Sequence, residues 1–377
     1  MNGLRTWIEI DKAAAGRNFK VFKKLLHNPA GGGVKLMAVV KSNAYGHGLL
    51  DFSRLMQDFG ADWFGVDSIV EALSLRSTGI KKNILVLGYT LPGRFIEAAK
   101  NNISLTISNT EHLVALKRRF NPPLKIHLKI DTGMHRQGFF TRELALAAEL
   151  IKKLGKSVVL EGIYTHFAAA KNPAFPSDTL KQIKLFDEAA NIVQSAGFNP
   201  LRHASATSGA IIFPEVRYDM ARIGIGLYGL WPSKETEAAY RDKINLEPVL
   251  TWKTIIAEIK NVGRGERVGY DFTEILSRPA KVAILPIGYW HGYPRALSAI
   301  GKVLIKGEFA KVLGRVSMDM ISVDVSGIKN AKIGDEAVLI GKSGEENITA
   351  DDLARYCDTT NYEIVTRLNP LMSRIYR

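Results

Sequence analysis

Leu124-Lys-Ile-His-Leu-Lys-Ile130, then Leu144-Ala-Leu-Ala-Ala-Glu-Leu-Ile-Lys-Lys-Leu154, then Val158-Val-Leu-Glu-Gly-Ile163: a short β-rich run, a stretch apolar at helical spacing, and a second short β-rich run. The outer segments have strand length and composition, and the middle one repeats its apolar residues at the period of a helix. Strand, helix, strand is one βαβ step, and the step recurs on both sides. The β-rich runs are 34–40, 62–66, 84–87, 104–107, 124–130, 158–163, 201–204 and 219–224. Between them lie helix-like segments, among them 180–196 and one opened by Ser68-Ile-Val-Glu71, a capping box. Eight such steps in about 200 residues predict a (β/α)8 barrel of TIM type, with a doubly wound open sheet as the competitor.

Near Trp231-Pro232-Ser233 the pattern changes, and this stretch reads as a linker. Beyond it come strand-like runs at 250–259, 281–287, 303–306, 321–325 and 337–340, separated by glycine turns, with 350–357 as the clear helix. The alternation Thr6-Trp-Ile-Glu-Ile10 reads as a strand that joins them. The expectation is an α/β plus β protein, with a barrel over residues 11–240 and a mainly antiparallel β domain over 241–377 with 1–10.

Composition sets the outer limits. The chain has 377 residues, 46% hydrophobic and 23% charged, which suits about two domains with real cores and excludes disorder. Its single cysteine, Cys357, excludes an internal disulfide framework and a cysteine-clustered metal site; no metal is expected. No apolar run approaches the ~18 residues of a membrane helix, and the opening residues lack a signal peptide's apolar core, so a cytoplasmic protein without membrane contact is expected. The formal charge is +14, but its densest run, Lys117-Arg118-Arg119, is short. Nucleic-acid binding needs a continuous basic footprint, so no nucleic-acid partner is expected, and a scattered basic surface favours anionic small molecules instead.

Barrel enzymes carry their chemistry on the loops after the strands. Those positions here hold Lys41-Ser-Asn-Ala-Tyr45-Gly-His47-Gly48, Lys129-Ile-Asp131-Thr-Gly-Met-His-Arg136, Tyr164-Thr-His166, Ser205-Ala-Thr207-Ser208-Gly209 and Arg222-Ile-Gly224-Ile225-Gly226. A lysine at the end of an apolar strand is expected to be partly desolvated, which lowers its pKa and makes it nucleophilic toward aldehydes. Plainer readings stand beside these: an ordinary surface lysine, a core histidine at His166, an ion pair of Arg222 with Asp219 or Glu215, a packed rim aromatic at Tyr45. His127 and His135 read as structural or solvent-facing. The stretches after strands seven and eight are small and rich in hydroxyls and backbone N–H, as phosphate-holding loops are. Gly224-Ile-Gly226-Leu-Tyr-Gly229 satisfies G-x-G-x-x-G but leads into Trp231-Pro232, and Gly341-Lys342-Ser343 has Glu336 where a phosphate loop needs glycine; neither supports a nucleotide site.

Ala38-Val-Val-Lys41-Ser-Asn-Ala-Tyr45-Gly-His47-Gly48 resembles the pyridoxal-phosphate attachment motif of the alanine racemases. The resemblance continues through Asp131-Thr-Gly-Met-His-Arg136, Thr165-His166-Phe, Asp219-Met-Ala-Arg222-Ile-Gly224-Ile225, Gly269-Tyr270, Leu285-Pro-Ile-Gly288-Tyr289, Ser317-Met318-Asp319 and Asn361-Tyr362-Glu363, in family order over nearly the whole chain.

The resemblance implies pyridoxal 5'-phosphate as cofactor, a small amino acid as substrate, and a head-to-tail homodimer with shared active sites. Lys41 matches the residue that forms the Schiff base and serves the D-side of the substrate; Tyr270, from the other subunit, matches the base on the L-side. A tyrosine with pKa ~10 is a poor base at neutral pH, so it needs nearby positive charge. His166 and Arg222 match the polar chain that supplies it, with Arg222 facing the pyridine nitrogen. Tyr45, Thr207, Ser208, Gly224, Ile225 and Tyr362 fall at or beside the phosphate positions. Arg136 and the partner's Met318 match the substrate-carboxylate contacts. Lys129 matches a lysine carbamylated in many members, and His203, Tyr289 and Asp319 fall in supporting positions. The sequence departs from the family at Ala206, Thr207, His135 and Trp290-His291, the last pair bearing on side-chain preference. Alternatives are a serine or broad-range racemase of the same fold and a same-fold amino-acid decarboxylase with Cys357 as its late cysteine.

Overall fold

The structure, a computed structural model, describes residues 3–27, 33–116 and 119–377; Lys117 and Arg118 of the basic run lie outside the described residues. The chain divides into two compact units. One holds Ala13–Ala44 and Leu49–Pro248, the other the N-terminal residues through Lys12, Tyr45–Gly48 and Val249–Arg377.

After a first strand, β1 (Thr6–Ile10), which belongs to the second unit, come β2 (Lys35–Val39), β3 (Trp63–Val66), β4 (Asn83–Val86), β5 (Ile103–Ile107), β6 (Leu124–Lys129), β7 (Val158–Tyr164), β8 (Leu201–His203) and β9 (Met220–Ile223). Strands β2 to β9 pair in parallel in the order β8-β7-β6-β5-β4-β3-β2-β9. The sheet then closes on itself between β8 and β9: Asp219 N donates to Arg202 O (3.1 Å) and Arg222 N to Ser205 O (2.9 Å). This is the TIM-like near-barrel rather than the open sheet. Strands such as Trp63–Val66 and Ile103–Ile107 are buried along their whole length, as parallel strands covered on both faces must be. The helix Leu144–Leu154 turns Leu144, Ala147, Ala148 and Ile151 inward, one stripe at helical spacing. The capping box forms: Ser68 Oγ accepts from Glu71 N, and Glu71 reaches back to the Ser68 backbone. The third helix runs Ser177–Ser195, three residues longer at its start than the apolar pattern suggests. Where a linker was expected, Ser233 caps a further helix, Lys234–Tyr240.

The second unit is built from β10 (Leu250–Ile255), β11 (Glu258–Val262), β12 (Arg267–Val268), β13 (Glu274–Ile275), β14 (Ala280–Leu285), β15 (Lys302–Ile305), β16 (Glu308–Leu313), β17 (Ile321–Asp324), β18 (Glu336–Ser343), β19 (Glu346–Ile348) and β20 (Ser373–Tyr376). Its large sheet runs β11-β14-β17-β16-β15-β18-β10-β1-β20, with β19 on β18. Only β1 and β20 pair in parallel within it. The run 250–259 is two strands, because the chain changes partner: Ile255 still faces Glu336 of β18, whereas Ala257 N already donates to Ile284 O of β14. A second helix, Asn361–Thr366, follows Ala350–Tyr356. Among the described residues no helix is long and apolar enough to cross a membrane.

Candidate active site

Lys41 ends the first barrel strand and opens a turn of unusual hand. Ser42, Asn43, Ala44 and Tyr45 have φ of 55°, 56°, 50° and 51°, a left-handed turn without glycine, which costs about 1–2 kcal/mol per residue. Such strain persists only where the surroundings over-determine it. Here Ala44 N donates to Val40 O (2.8 Å), Leu49 N to Asn43 Oδ1 (2.9 Å) and Ser42 N to Glu71 Oε1 (2.7 Å). The turn leaves the Lys41 side chain 39% exposed, with Nζ 3.8 Å from Asp67 Oδ1. The side chain is thus partly shielded, as the end of an apolar strand suggests, and not fully buried.

Arg222 is buried within β9 itself. Nη2 donates to Thr165 O (2.7 Å) and Ala204 O (2.8 Å), and Nη1 to His203 O (2.9 Å) and His203 Nδ1 (3.0 Å). His166 Nδ1 lies 3.4 Å from Nη2. The plainer reading of Arg222, an ion pair with Asp219 or Glu215, does not form; the Asp219 carboxylate accepts from Arg202 N at 2.7 Å. Burial pulls Arg222 down to about 10, so it stays cationic at neutral pH. Lys129, the last residue of β6, lies with Nζ 4.3 Å from the centre of the Tyr164 ring. Burial first, then Arg222, Arg136 and Lys41, hold its amine well below the usual lysine range, against the pull of Asp131. Burial and the same cations, with Lys129, hold His166 neutral. Arg136 follows a loop pinned by Asp131, whose Oδ1 accepts from Gly133 N (2.9 Å) and His135 N (3.0 Å). His135 has φ of 51°, so the residue that departs from the family's glycine keeps the backbone a glycine favours. Gln182, which the sequence reading passed over, is buried and bonds both Thr132 Oγ1 (3.0 Å) and His166 O (3.3 Å).

On the other side of the mouth Thr207 Oγ1 accepts from Gly224 N (3.2 Å) and Gly226 N (3.4 Å), with Ser208 and Ile225 buried beside it. The glycines of the G-x-G-x-x-G pattern answer to packing: a Cβ on Gly226 would come 2.4 Å from Phe22, and one on Gly229 1.7 Å from Glu247 O.

In the second unit the Tyr45 and Tyr362 rings lie 6.2 Å apart. Burial pushes Tyr45 up to about 12 and raises Tyr362 further, so both hydroxyls remain protonated donors. Tyr270 stands 69% exposed on a turn where Asp271 and Phe272 have φ of 57° and 51°. Arg315 Nε ties Asp271 to the next segment at 2.9 Å. There Ser317 O and Met318 O accept from Tyr289 N and Trp290 N, each at 3.0 Å. Tyr270, Tyr289, Trp290 and Met318 are all exposed. The Asp271–Arg315 ion pair and the bonds of Tyr289 N and Trp290 N join the segments that carry them, and the Asp319 charge raises His291 against the effect of its burial. His291 turns inward, accepting from Gly288 N at 3.2 Å through Nδ1, so of the two departures Trp290 alone faces outward. Cys357 has its thiol pushed up by burial and by Glu363, the wrong direction for a nucleophilic thiolate.

The family profile described as "Alanine racemase, N-terminal domain" matches residues 10–232, and "Alanine racemase, C-terminal domain" matches residues 249–376. The alanine racemase of Leptospira interrogans serogroup Icterohaemorrhagiae serovar copenhageni is 39% identical over 380 residues, 98% of this chain and 95% of that protein. Among solved structures, the alanine racemase of Bacillus anthracis with bound L-Ala-P superposes with a TM-score of 0.92 at 33% identity, covering 99% of this chain and 95% of that one. The histidine racemase of Leuconostoc mesenteroides subsp. sake superposes with a TM-score of 0.88 at 29% identity, covering 100% and 99%.

Proposed function

The chain belongs to the alanine racemase family, and from that premise we propose that it interconverts L-alanine and D-alanine with pyridoxal 5'-phosphate, as a cytoplasmic head-to-tail homodimer supplying D-alanine for peptidoglycan. The observation that carries this reading is a charge imbalance. Arg222, Arg136 and Lys41 crowd Lys129 and His166 closely enough to depress both, with Asp131 the opposing carboxylate at Lys129 and Asp67 the one beside Lys41. A mouth so short of negative charge suits a phosphate and a carboxylate together.

The donor set fits the cofactor. Lys41 is the amine that would hold it covalently. Thr207 and Ser208 hydroxyls, the Gly224 and Ile225 N–H groups, and the protonated Tyr45 and Tyr362 hydroxyls would hold its phosphate. When bound, pyridoxal phosphate supplies the electron sink that makes the amino acid's Cα–H acidic. Arg222 stays protonated, so it would give the cofactor's ring nitrogen a hydrogen bond and no proton. Lys41 Nζ carries the proton on the D-side of Cα, and the hydroxyl of the partner subunit's Tyr270 carries it on the L-side. His166, held neutral, and Arg222 form the polar support for that hydroxyl, with His203 behind them; within each chain Tyr289 and Asp319 support the Tyr270 and Met318 that it lends to its partner. Arg136 and the backbone N–H of the partner subunit's Met318 hold the substrate carboxylate. Lys129, whose amine burial holds well below the usual lysine range, would add carbon dioxide with loss of a proton and present the resulting carbamate to Arg136.

The test is proton NMR of L-alanine in deuterated buffer with protein and pyridoxal phosphate, followed by chiral analysis. Loss of the α-proton signal with D-alanine appearing supports the reading; no exchange with any amino acid sinks it. A second reading, preference for another amino acid, draws on the outward Trp290 and on the likeness to a histidine racemase. L-serine, L-lysine and L-histidine run alongside alanine decide between them.

A further inference from the structure

Behind Arg222 a row of buried and partly buried polar side chains runs from strand to strand. His203 Nδ1 meets Arg222 Nη1 at 3.0 Å, His203 Nε2 meets His127 Nδ1 at 2.9 Å, and His127 Nε2 meets Glu161 Oε2 at 3.4 Å. Ser104 Oγ donates to the same Glu161 oxygen, and Lys125 Nζ lies 3.4 Å from the other. Both histidine rings are fully buried. Their placement is enforced by packing: a Cβ on Gly162 would sit 2.2 Å from His127 Nδ1, and the Tyr164 ring lies flat on His203 at 4.8 Å.

We propose that Glu161 is a positioning residue that sets, through His127, the tautomer of His203, so that His203 always offers Arg222 a lone pair. The argument is one of proton accounting. A guanidinium has donors and no acceptor, so His203 Nδ1 must be unprotonated. A neutral imidazole then carries its single N–H on Nε2, which donates to His127 Nδ1. His127 in turn carries its N–H on Nε2, aimed at an oxygen that can only accept. The opposite register would set His203 Nδ1–H against an Arg222 N–H, two donors face to face. Burial keeps both rings neutral, with Arg222 adding to the effect on His203. Glu161 is pushed up by its own burial but brought below the ordinary range by His127, Ser104 and Lys125, so it is the carboxylate the register requires. Which ring nitrogen bears the proton is set by the hydrogen bond the other makes, and here that choice is passed across two rings. The kinetic part of this inference rests on the racemase reading above; the tautomers do not.

The test uses 15N-histidine-labelled protein loaded with pyridoxal phosphate, with ring-nitrogen shifts and long-range N–H couplings read by NMR. The expected spectrum has His127 and His203 each protonated at Nε2 alone. Glu161→Gln keeps an acceptor and should keep both tautomers. Glu161→Leu should move part of His203 to the Nδ1–H form and lower kcat about ten- to a hundredfold, the range for outer partners of an active-site group, with KM changed less. A wild-type His203 protonated at Nδ1, or at both nitrogens, overturns the proposal, and so does a Leu variant whose tautomers and kcat are unchanged. A change in one without the other overturns it equally. If the Leu variant does not fold, the wild-type and Gln spectra decide. Because tautomers are read without turnover, a protein that racemises nothing still tests this assignment separately from its function.

Discussion

Glu71 Oε1 accepts the backbone N–H of Ser42 at 2.7 Å while its Oε2 accepts that of Asp67 at 2.8 Å. One carboxylate in the first turn of the helix Ile69–Ser77 thus completes a capping box and also anchors the left-handed turn that starts at Lys41. The residue nearest in sequence to the lysine is held by a side chain one βα step away.

Removing that carboxylate should therefore cost more than a cap. Glu71→Ala is expected to lower stability by about 1–2 kcal/mol through the lost cap, and to lower kcat/KM as well, because the strained turn loses its anchor. Glu71→Gln, with one acceptor oxygen instead of two, should fall between. Thermal unfolding beside steady-state rates checks both; an Ala variant with unchanged kcat/KM would show that the anchor has no bearing on Lys41.

Gly46 links the two tyrosines proposed to hold phosphate. Its φ is 83°, a Cβ there would lie 1.9 Å from Val365 O, and its carbonyl accepts from Arg374 Nε (3.1 Å) and Nη2 (3.0 Å). Gly46→Ala should push the Tyr45 turn off the helix Asn361–Thr366, at about 1–3 kcal/mol. Pyridoxal-phosphate affinity, followed by cofactor absorbance on dialysis, should drop. Unchanged retention would remove Tyr45 from the phosphate set.

Tyr270, Phe272, Tyr289, Trp290, Met318 and Met320 are exposed apolar residues, the kind that a partner surface covers in the proposed dimer. Trp290→Glu and Met320→Glu are expected to give a folded monomer with little activity, read by sedimentation and circular dichroism. Tyr270→Phe should leave the dimer intact and damage turnover of L-alanine more than that of D-alanine. An active monomer would sink the shared-site account.

Stability should fall on mild acidification. Burial holds His127, His203 and His166 below the ordinary histidine value, aided at each by Arg222, and His112 and His291 shift the same way. As pH drops through about 6.5 the unfolded chain takes up these protons first. The unfolded state then binds more protons than the folded one, so the unfolding free energy decreases as pH decreases. The contribution is complete above about pH 6.5 and is lost progressively below it. The thermal midpoint should fall between about pH 7 and 5, less so in His166→Gln; a flat midpoint across that window would contradict the burial argument.

Much of this was legible beforehand for a local reason. All eight barrel strands lie within two residues of the β-rich runs, because two-sided burial leaves an apolar signature in most of them. The Ser68–Glu71 box and the pairing of Thr6–Ile10 likewise follow from neighbouring residues. The left-handed turn at 42–45 was not legible: Ser-Asn-Ala-Tyr contains no glycine to announce it, and it stands only because Glu71, Val40 and Leu49 bond to it. His127, read as structural or solvent-facing, is buried in a row whose members come from five strands.

From the sequence alone came the order of elements, the barrel and β-domain plan, and the residues that match the family's chemistry, since periodicity, caps and motifs are carried by residues adjacent along the chain. The tertiary structure alone decided that Lys41 stays half-exposed, that Arg222 takes carbonyls and His203 instead of Asp219, and that Glu161 stands at the end of the histidine row. Exposure, hydrogen-bond partner and tautomer depend on what other strands bring within about 3 Å, and no spacing along one strand encodes that distance.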